Sequence, residues 1–381
     1  MKCDIIIPVW DQLEFTKECV DAILKNTHYP YRLILIDNGS EFETKNYLKN
    51  LEKNRPKEVM LVNNDENLGF VKAVNQGLKH SDSPYVCIMN NDTIPAPGWL
   101  ERMIEFADSH DEVGLVNPQC DGHGNMPLDE YAQILSRDRG KYMEMNQCQG
   151  FCMLIKRKMI DRVGLLDESF GLGGYDDTDY SMRAHLAGYR CVAIKDSYVY
   201  HRQHGSFNRS GDREEWVRRN QKIYFDKWGR HLRIGIAVSM DDLEIGTLSR
   251  LIGFAYGLAR EWSWVNLWIN FKERSKEPQK IIGKILEETK LPPHQNIRIS
   301  YFKLPKALFQ SAIVCKILER LRMRDKKFDA IFTPDERLAK FISPFAKLIG
   351  SNTVKMLLGE GINDCQEKGR KAALSIKRER R

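Results

Sequence analysis

Residues 85–92 read YVCIMNND, an apolar run that ends in two amides and a carboxylate. Five apolar residues in succession, bounded by a proline before and by polar residues after, are typical of a buried strand. Buried strands of this kind belong to parallel sheets covered by helices, and ligands bind such sheets at the carboxyl ends of the strands. The segment therefore predicts a fold class, and it predicts the edge of the sheet at which a ligand binds.

Strand and helix alternate throughout the part of the chain that precedes this segment. The predicted strands are Cys3–Val9, Tyr31–Ile36 and Glu58–Val62, and the predicted helices are Glu14–Lys25, Glu41–Leu51 and Phe70–Leu78. Polar clusters follow the second and third strands, at Asp37 and at Asn63–Gly69. This alternation indicates an α/β fold with a mostly parallel central sheet and right-handed crossovers.

The pattern is less regular between residues 92 and 228, and a domain boundary falls near Gly229. Further strands are predicted at Gly114–Pro118, Gln149–Ile155, Cys191–Ile194 and Ser197–Tyr200, and a flexible lid is predicted over His201–Arg213. Residues 1–229 are thus the first predicted domain. Residues 230–364 are the second, a Rossmann-like α/β domain in which Gly253 and Gly257 fall within a helical pattern and not in a phosphate-binding turn.

The composition is that of a globular protein without disulfides. The chain has 381 residues, 42% of them hydrophobic, and its nine cysteines form no CxxC pair. Disorder throughout is excluded, and a zinc site or a disulfide framework is disfavoured. The apolar stretch Leu251–Phe271 carries Arg260 and Glu261 near its middle, which disfavours a membrane span. We therefore expect a soluble, cytoplasmic protein.

Positive charge is concentrated at the C-terminal end. The net charge of the chain is +7, and residues 368–381 contain seven Lys or Arg and a single Glu. Residues 365–381 are therefore predicted to form a basic tail, which is either only solvated or in peripheral contact with anionic lipid at the inner face of a membrane. Nucleic-acid binding is disfavoured because no aromatic residues are interleaved with the basic ones.

Two acidic clusters follow predicted strands or loops. Asp92, after the fourth strand, either holds a divalent cation through oxygen or caps the next helix in an Asx turn. Asp176, Asp177 and Asp179 follow a glycine-rich loop, where one of them could serve as a helix N-cap. Three crowded carboxylates raise at least one pKa, however, which suits a proton acceptor that works near neutral pH. His201, at the end of another strand, is either a metal ligand or a surface histidine.

Taken in order, these motifs resemble those of family 2 glycosyltransferases. The segments that carry the resemblance are IIIPVW at 5–10, IDNGS at 36–40, NLGF at 67–70, MNNDT at 89–93, GFCMLIKR at 150–157, Phe170 through Arg183, Gly188-Tyr189 and His201. They span about residues 2–206, and each is weak alone but specific in this order. The resemblance implies the GT-A nucleotide-diphospho-sugar fold and is closest to the rhamnosyltransferase-like members.

The resemblance also implies roles for individual residues. The nucleotide-binding positions that it implies are Pro8, Asp37, Gly69, Asn75 and Asn90. It places a divalent cation, Mn²⁺ or Mg²⁺, on Asp92, because Asn90 departs from the acidic first position of the family's DxD motif. His201 matches a histidine that can complete the metal site. Asp177 matches the general base, and Asp176 stands in for the glutamate beside it.

These implications define an expected function. The resemblance implies an inverting, metal-dependent transfer of a sugar from a nucleotide-diphosphate donor to a glycan, lipid-linked glycan or protein acceptor, in surface polysaccharide or glycoconjugate synthesis. The second domain resembles half of the GT-B glycosyltransferase architecture, which implies acceptor binding or assembly. Two alternatives remain open, a sugar nucleotidyltransferase and a non-catalytic GT-A-like scaffold. Against the nucleotidyltransferase, Pro8–Leu13 contains neither the glycine nor the lysine of a triphosphate loop.

Overall fold

The structure is a computed structural model that describes residues 2–202, 213–240, 245–271, 277–322, 326–356 and 358–380. The chain divides into two compact units, Met1–Gly229 and Arg230–Arg381. Residues 203–212, which make up most of the predicted lid, lie outside the described residues.

The first unit is an α/β domain of nine strands and eight helices within its described residues. The strands are β1 Cys3–Val9, β2 Tyr31–Asn38, β3 Val59–Asn64, β4 Tyr85–Met89, β5 Thr93–Pro95, β6 Val113–Gln119, β7 Tyr142–Met145, β8 Cys152–Lys156 and β9 Arg190–His201. The helices are α1 Leu13–Asn26, α2 Phe42–Asn54, α3 Phe70–His80, α4 Trp99–Ser109, α5 Leu128–Leu135, α6 Arg157–Val163, α7 Asp176–Leu186 and α8 Arg213–Trp228.

The nine strands form one mixed, mostly parallel sheet. Its order is β3-β2-β1-β4-β8-β6-β9-β5, and β7 pairs with β9. β1 to β4 are parallel, β8 is antiparallel to both of its neighbours, and β6 and β9 are parallel again. The predicted mostly parallel α/β sheet is therefore confirmed. Since β1, β2 and β4 are neighbours, their carboxyl ends meet at one edge.

After residue 92 the structure adds the short strands β5 and β7, which the sequence does not predict, and it joins two predicted strands into one. The two strands predicted at 191–194 and 197–200 are a single strand, β9, which crosses three neighbours in turn. Its first half pairs with β6 and β7, and its last three residues pair with β5. Lys195 and Asp196 interrupt the apolar run without ending the strand, because the backbone continues from one set of partners to the next.

The core of the first unit lies between this sheet and its helices. The strand residues Ile5, Ile7, Leu33 and Leu35 are fully buried, and Trp99 of α4 packs in the same cluster. An apolar surface of this kind contributes roughly 25 cal/mol per Å² buried. The packing therefore fixes the strand ends on which the site is built.

The second unit is an all-parallel, five-stranded sheet. Its strands are β10 Leu232–Ser239, β11 Ser263–Asn270, β12 Ile297–Phe302, β13 Ala330–Thr333 and β14 Asn352–Lys355, in the order β12-β11-β10-β13-β14. Its helices are α9 Ile245–Arg260, α10 Pro278–Thr289, α11 Lys306–Leu318, α12 Glu336–Leu348 and α13 Ile362–Glu379. This 3-2-1-4-5 order is that of a Rossmann-like sheet.

The basic tail predicted for residues 365–381 is instead part of a helix. α13 buries Cys365, Gly369 and Ala373, and it packs closely on α9. The contact depends on glycines: a Cβ on Gly257 would lie 1.9 Å from the carbonyl oxygen of Gln366, and one on Gly369 would lie 2.2 Å from that of Phe254. The sequence prediction counted only charge in this segment. It therefore did not detect the apolar side of the helix, which lies opposite the basic residues.

No helix among the described residues is both long enough and apolar enough to span a membrane. All nine cysteines are free thiols, and Cys315 on α11 is the exposed one.

Candidate active site

The first of two adjoining clefts lies at the carboxyl ends of β1, β2 and β4. It encloses about 770 Å³, including its open mouth. Its lining comprises Pro8, Val9, Trp10, Asn38, Asn67, Phe70, Asn90, Asn91, Asp92, Leu172 and Trp216. Pro8, Asn90 and Asp92 are thus at the edge that the sequence predicts for a ligand.

Amide side chains form one wall of this cleft. Asn38 Nδ2 donates to Asn67 Oδ1 at 2.7 Å, and Asn38 Oδ1 accepts from Asn64 Nδ2 at 3.1 Å and from the Leu68 backbone N–H at 3.1 Å. Asn64 and Gln76 exchange a further pair of hydrogen bonds. This network holds the loop after β3 against the end of β2, and it places Asn38 and Asn67 at the cleft surface without a buried charge.

Asp92 and His201 meet because two short strand ends pair. β5 runs antiparallel to the end of β9, with Thr93 opposite His201. The His201 Nε2 atom lies 3.3 Å from Asp92 Oδ1 and 3.4 Å from Asn90 Nδ2. The imidazole stacks on Phe151 with their planes 14° apart, which fixes the ring orientation. A carboxylate, an imidazole and an amide therefore converge at the rim of the first cleft.

A second cleft adjoins the first and shares Phe70 and Asn90 with it. Its other lining residues are Gln147, Gln149, Gly150, Phe151, Gly173, Gly174, Asp176, Asp177 and His201. Asn90 is thus in the lining of both clefts, and the Asp176–Asp177 pair lies in the second. A molecule in the first cleft and a molecule in the second would meet near Asn90.

The two carboxylates of the second cleft are held by backbone N–H groups. Asp176 Oδ1 accepts from the Gly174 N–H at 2.7 Å. Asp177 Oδ2 accepts from the Gly150 N–H at 3.1 Å, and its Oδ1 accepts from the Thr178 N–H at 2.7 Å. Burial, reinforced by the charge of Asp177, raises the pKa of Asp176 to about 7, and burial also raises the pKa of Asp177. The pair can therefore bind and release a proton near neutral pH.

The third acidic residue of the cluster has a structural role. Asp179 is fully buried and is not among the described residues that line the second cleft. Its Oδ2 accepts from Arg183 Nε at 2.9 Å, and its Oδ1 accepts from Trp228 Nε1 at 2.7 Å and from Lys227 Nζ at 2.8 Å. Since two cations neutralise it, Asp179 anchors α8 to α7, and only Asp176 and Asp177 remain as the crowded pair.

Three residues predicted to contact a nucleotide are not among the described residues that line either cleft. Asn75 is buried, donates to Leu166 O and Glu168 Oε1, and accepts from the Leu166 N–H, so its amide is used within the fold. Gly69 has φ +86°, and a Cβ there would lie 2.9 Å from Gly171 O. Both residues position loops behind the cleft wall.

Asp37 also lies behind the wall, but one of its oxygens is unused. Asp37 is fully buried, and its Oδ1 accepts from the Ser40 N–H at 3.0 Å. Within the described part of the chain its Oδ2 has no hydrogen-bond partner. An unsatisfied buried carboxylate oxygen is unfavourable unless a donor reaches it, so Asp37 remains a prediction for the donor side of the site.

Sequence reasoning missed the contribution of α8. Trp216 lines the first cleft, and Asn220 donates to backbone carbonyls of the glycine-rich loop. α8 is mostly polar, and neither residue belongs to a motif that indicates chemistry. One signal in the sequence could have indicated this role of α8: Trp216 and Asn220 are four residues apart and therefore lie on the same face of the helix.

The residues at the rim fit a divalent cation that arrives with a phosphate. Among the residues that the structure describes, no three His, Cys, Asp or Glu side chains come together as a metal site. Mg²⁺ sites commonly use one or two carboxylates and complete the shell with water and substrate phosphate. Asp92, with His201 and Asn90 beside it, provides such a partial set of oxygen and nitrogen ligands.

Comparison with a known family agrees with this geometry. Residues 4–164 match the family model described as Glycosyl transferase family 2. The match covers β1 to β8 and ends before Asp176, so the acid pair, His201 and α8 lie beyond it.

Individual relatives are distant. The protein y4gI of Sinorhizobium fredii, itself uncharacterized, is 26% identical over 252 residues, which are 60% of this chain and only 27% of that protein. Glycosyltransferase GlyG of Streptococcus pneumoniae is 23% identical over 254 residues, covering 62% of this chain and 82% of that protein. A mannosyltransferase of Pyrobaculum calidifontis, solved with GDP-Man and Mn²⁺, is 16% identical with a TM-score of 0.46, covering 91% of this chain and 85% of that one.

Proposed function

Because residues 4–164 make the first unit a family 2 glycosyltransferase domain with the GT-A fold, we propose that this unit moves a sugar from a nucleoside-diphosphate donor to an acceptor hydroxyl with inversion. One observation carries the proposal. Two clefts meet at Asn90, with Asp92 and His201 at the rim of one and a carboxylate pair, Asp176 buried and Asp177 half-buried, in the other. A donor and an acceptor that occupied these clefts would bring the anomeric carbon and the attacking hydroxyl together.

In this proposal the first cleft holds the nucleotide. Asn67 is suited to contact a base or ribose, because its Nδ2 can donate to an oxygen or a ring nitrogen. The Asn38 amide, by contrast, is used within the fold. Asp92, with His201 and Asn90, would hold a divalent cation against the diphosphate. The cation would supply Lewis-acid neutralisation of the charge that develops on the leaving diphosphate.

The second cleft holds the acceptor and the base. Asp177 accepts the proton of the attacking hydroxyl, and Asp176 keeps the pair at a pKa suited to that transfer. Attack from this side, opposite the leaving group, inverts the anomeric centre. Gln147 and Gln149 beside Phe70 and Phe151 provide hydrogen bonding next to apolar rings, which suits a glycan acceptor of the kind found in polysaccharide or glycoconjugate synthesis.

The direct test is a screen of nucleotide sugars with Mn²⁺ or Mg²⁺ that measures release of nucleoside diphosphate. Release that requires both an acceptor glycan and the cation is expected. Release of pyrophosphate from a sugar phosphate and a nucleoside triphosphate would instead identify a sugar nucleotidyltransferase. Binding of nucleotide without turnover under any condition would identify a scaffold.

Asp92→Ala is expected to remove most of the increase in nucleoside-diphosphate affinity that Mn²⁺ produces, a loss of about 10–100-fold. The reason is that Asp92 is the sole carboxylate among the described residues at the rim of the first cleft. Calorimetric titration of the nucleotide with and without Mn²⁺ measures the effect. Asp82→Ala is the matched control, since Asp82 precedes the amino end of the same strand and its side chain is 96% exposed. An equal Mn²⁺ effect in Asp92→Ala and the unchanged protein would exclude Asp92 from the site.

Transfer is expected to slow as the pH falls, because burial raises the pKa of the base Asp177 and raises the pKa of its neighbour Asp176 to about 7. The base acts in its ionised form, so the rate falls by about tenfold per pH unit once the pH is below the pKa of Asp177. Asp176→Asn removes the neighbouring negative charge, so the pKa of Asp177 falls and the acidic limb moves to lower pH. The profile of kcat/KM against pH tests this, and a flat profile between about pH 5 and 8 would contradict it.

We also propose that the second unit holds the enzyme against anionic lipid. Residues 230–381 carry 30 Lys or Arg and 17 Asp or Glu, a net charge of +13, whereas residues 1–229 carry 29 and 35, a net charge of −6. Each basic residue close to an anionic surface contributes roughly 1 kcal/mol of attraction. The concentration of charge in one unit supports a lipid-facing or lipid-linked acceptor.

The full chain is expected to cosediment with anionic vesicles at low salt and to dissociate as salt rises. Removing the last residues would delete part of α13, so charge reversal is the cleaner change. Lys371→Glu with Arg378→Glu, both exposed on α13, is expected to weaken binding at least about tenfold. Lys49→Glu with Lys53→Glu on α2 makes the same charge change in the other unit and serves as the control. Equal sedimentation with neutral vesicles would contradict the proposal.

A further inference from the structure

We infer that Asn220 of α8 is the positioning residue for the carboxylate pair, and that it acts through the peptide group joining Gly173 to Gly174. The inference rests on the proposed function, because the role that it gives Asn220 is in the proton transfer proposed for the second cleft. Asn220 lies beyond the family match and is 1% exposed.

The amide of Asn220 holds the glycine-rich loop at three points. Its Nδ2 donates to Phe170 O at 2.8 Å, to Gly173 O at 3.0 Å and to Gly174 O at 3.1 Å. Two hydrogens are thus shared among three carbonyls. An amide donor at this place is required, since a side chain without donors would leave three buried carbonyls without this partner.

One peptide group connects this contact to the carboxylate pair. The carbonyl of Gly173 accepts from Asn220, and the N–H of the same peptide, which belongs to Gly174, donates to Asp176 Oδ1 at 2.7 Å. A hydrogen bond at the carbonyl fixes the plane of the peptide and polarises its N–H. Asn220 therefore determines whether a donor points at Asp176.

The opposite side of the loop has its own fixed contact. The Val71 N–H donates to Gly171 O at 3.2 Å, and a Cβ on Gly69 would collide with the same carbonyl. Between these contacts the loop contains glycines with positive φ at 171, 173 and 174, and Tyr175 has φ +69°. A peptide flanked by two glycines rotates easily, so a side chain is needed to hold it in one orientation.

The loop also belongs to both clefts. Leu172 lines the first cleft together with Trp216, and Gly173 and Gly174 line the second. Trp216 and Asn220 lie one turn apart on α8. Loss of the Asn220 amide is therefore expected to disturb the carboxylate pair more than the nucleotide pocket, whose other walls are independent of α8.

The consequence for proton transfer has a definite sign. The Gly174 N–H stabilises the ionised form of Asp176, so loss of that bond raises the pKa of the pair further. The acidic limb of the rate profile then moves to higher pH. A residue that merely stabilised the fold would lower the amount of active enzyme without moving this limb.

The test compares Asn220→Leu, which has a similar size, no charge and no hydrogen-bond donor, with Asn220→Ser, which keeps one donor. Asn220→Leu is expected to lower kcat about 10–100-fold, and Asn220→Ser is expected to lower it less. Both variants are expected to move the acidic limb of the rate profile to higher pH and to keep nucleotide affinity within a few-fold of the unchanged protein. Lys222→Ala, at an exposed position on α8, is the control. Hydrogen exchange of the full chain is expected to show lost protection confined to residues 171–175.

The outcomes separate this inference from the proposed function. If the unchanged protein transfers sugar and both variants keep its rate and pH profile, the positioning role is wrong. If the unchanged protein transfers nothing, the proposed function fails, and hydrogen exchange still decides whether Asn220 fixes the loop. Should Asn220→Leu not fold, Asn220→Ser supplies the same comparison, and unchanged exchange at 171–175 in that variant would overturn the inference.

Discussion

Asp177→Asn is expected to bind the donor normally and to transfer sugar about 10²–10⁴-fold more slowly. The substituted side chain keeps its shape, and its amide oxygen can still accept from one of the N–H groups that hold Asp177. It can no longer accept a proton from the acceptor hydroxyl. Donor affinity by calorimetry and the rate of nucleoside-diphosphate release in the presence of acceptor measure the two effects separately.

Asp179→Asn is the matched comparison, because the same change two residues away removes a structural carboxylate. Arg183, Lys227 and Trp228 would lose their shared partner, so the melting temperature should fall while the turnover of the folded fraction is kept. Normal turnover by Asp177→Asn, or a loss of turnover in both variants at equal stability, would remove Asp177 from the chemistry.

Gly257→Ala is expected to destabilise the second unit by about 3 kcal/mol or more. The added Cβ would lie 1.9 Å from the carbonyl oxygen of Gln366, and this backbone atom cannot turn away as a side chain could. α9 and α13 would therefore have to separate. Chemical unfolding of the full chain, followed by hydrogen exchange in each unit, measures the effect.

The control is the same substitution in a neighbouring helix. Gly283 in α10 has no atom within 4 Å of the position a Cβ would occupy. Gly283→Ala is expected to stabilise the unit by about 0.5–1 kcal/mol, because alanine restricts the unfolded chain more than glycine does. If Gly257→Ala were as stable as Gly283→Ala, the close crossing of α9 and α13 would be wrong.

The sequence predicts the first four strands because each contains three or more apolar residues in succession, although β3, at the end of the sheet, is only partly buried. The polar residues that end β2, β3 and β4 mark the edge of the sheet, which is why Pro8, Asn90 and Asp92 are found at the cleft. The pairing of β5 with β9 cannot be predicted from the alternation of apolar and polar residues, because β5 has only three residues and is too short to show such a pattern. The resemblance to a family, and not the pattern, placed His201 beside Asp92.

Amides are the residues that sequence reasoning assigned least well. Asn75 matches a nucleotide-binding position, yet its three hydrogen bonds are made within the fold. Asn220 matches no motif, yet it holds the loop that precedes the carboxylate pair. The same side chain serves a ligand, a loop or a solvent-exposed surface, and its neighbours in space decide which.

The position of β9 in the sheet has a consequence for how the protein matures on the ribosome. Although β9 is the last strand of its unit in the chain, it lies between β6 and β5 and also pairs with β7. Until residue 201 has left the exit tunnel, β6 keeps an open edge, a feature that favours association between nascent chains. The same strand delivers His201 to Asp92. Closure of the sheet and the meeting of Asp92 with His201 are therefore a single, late event in synthesis.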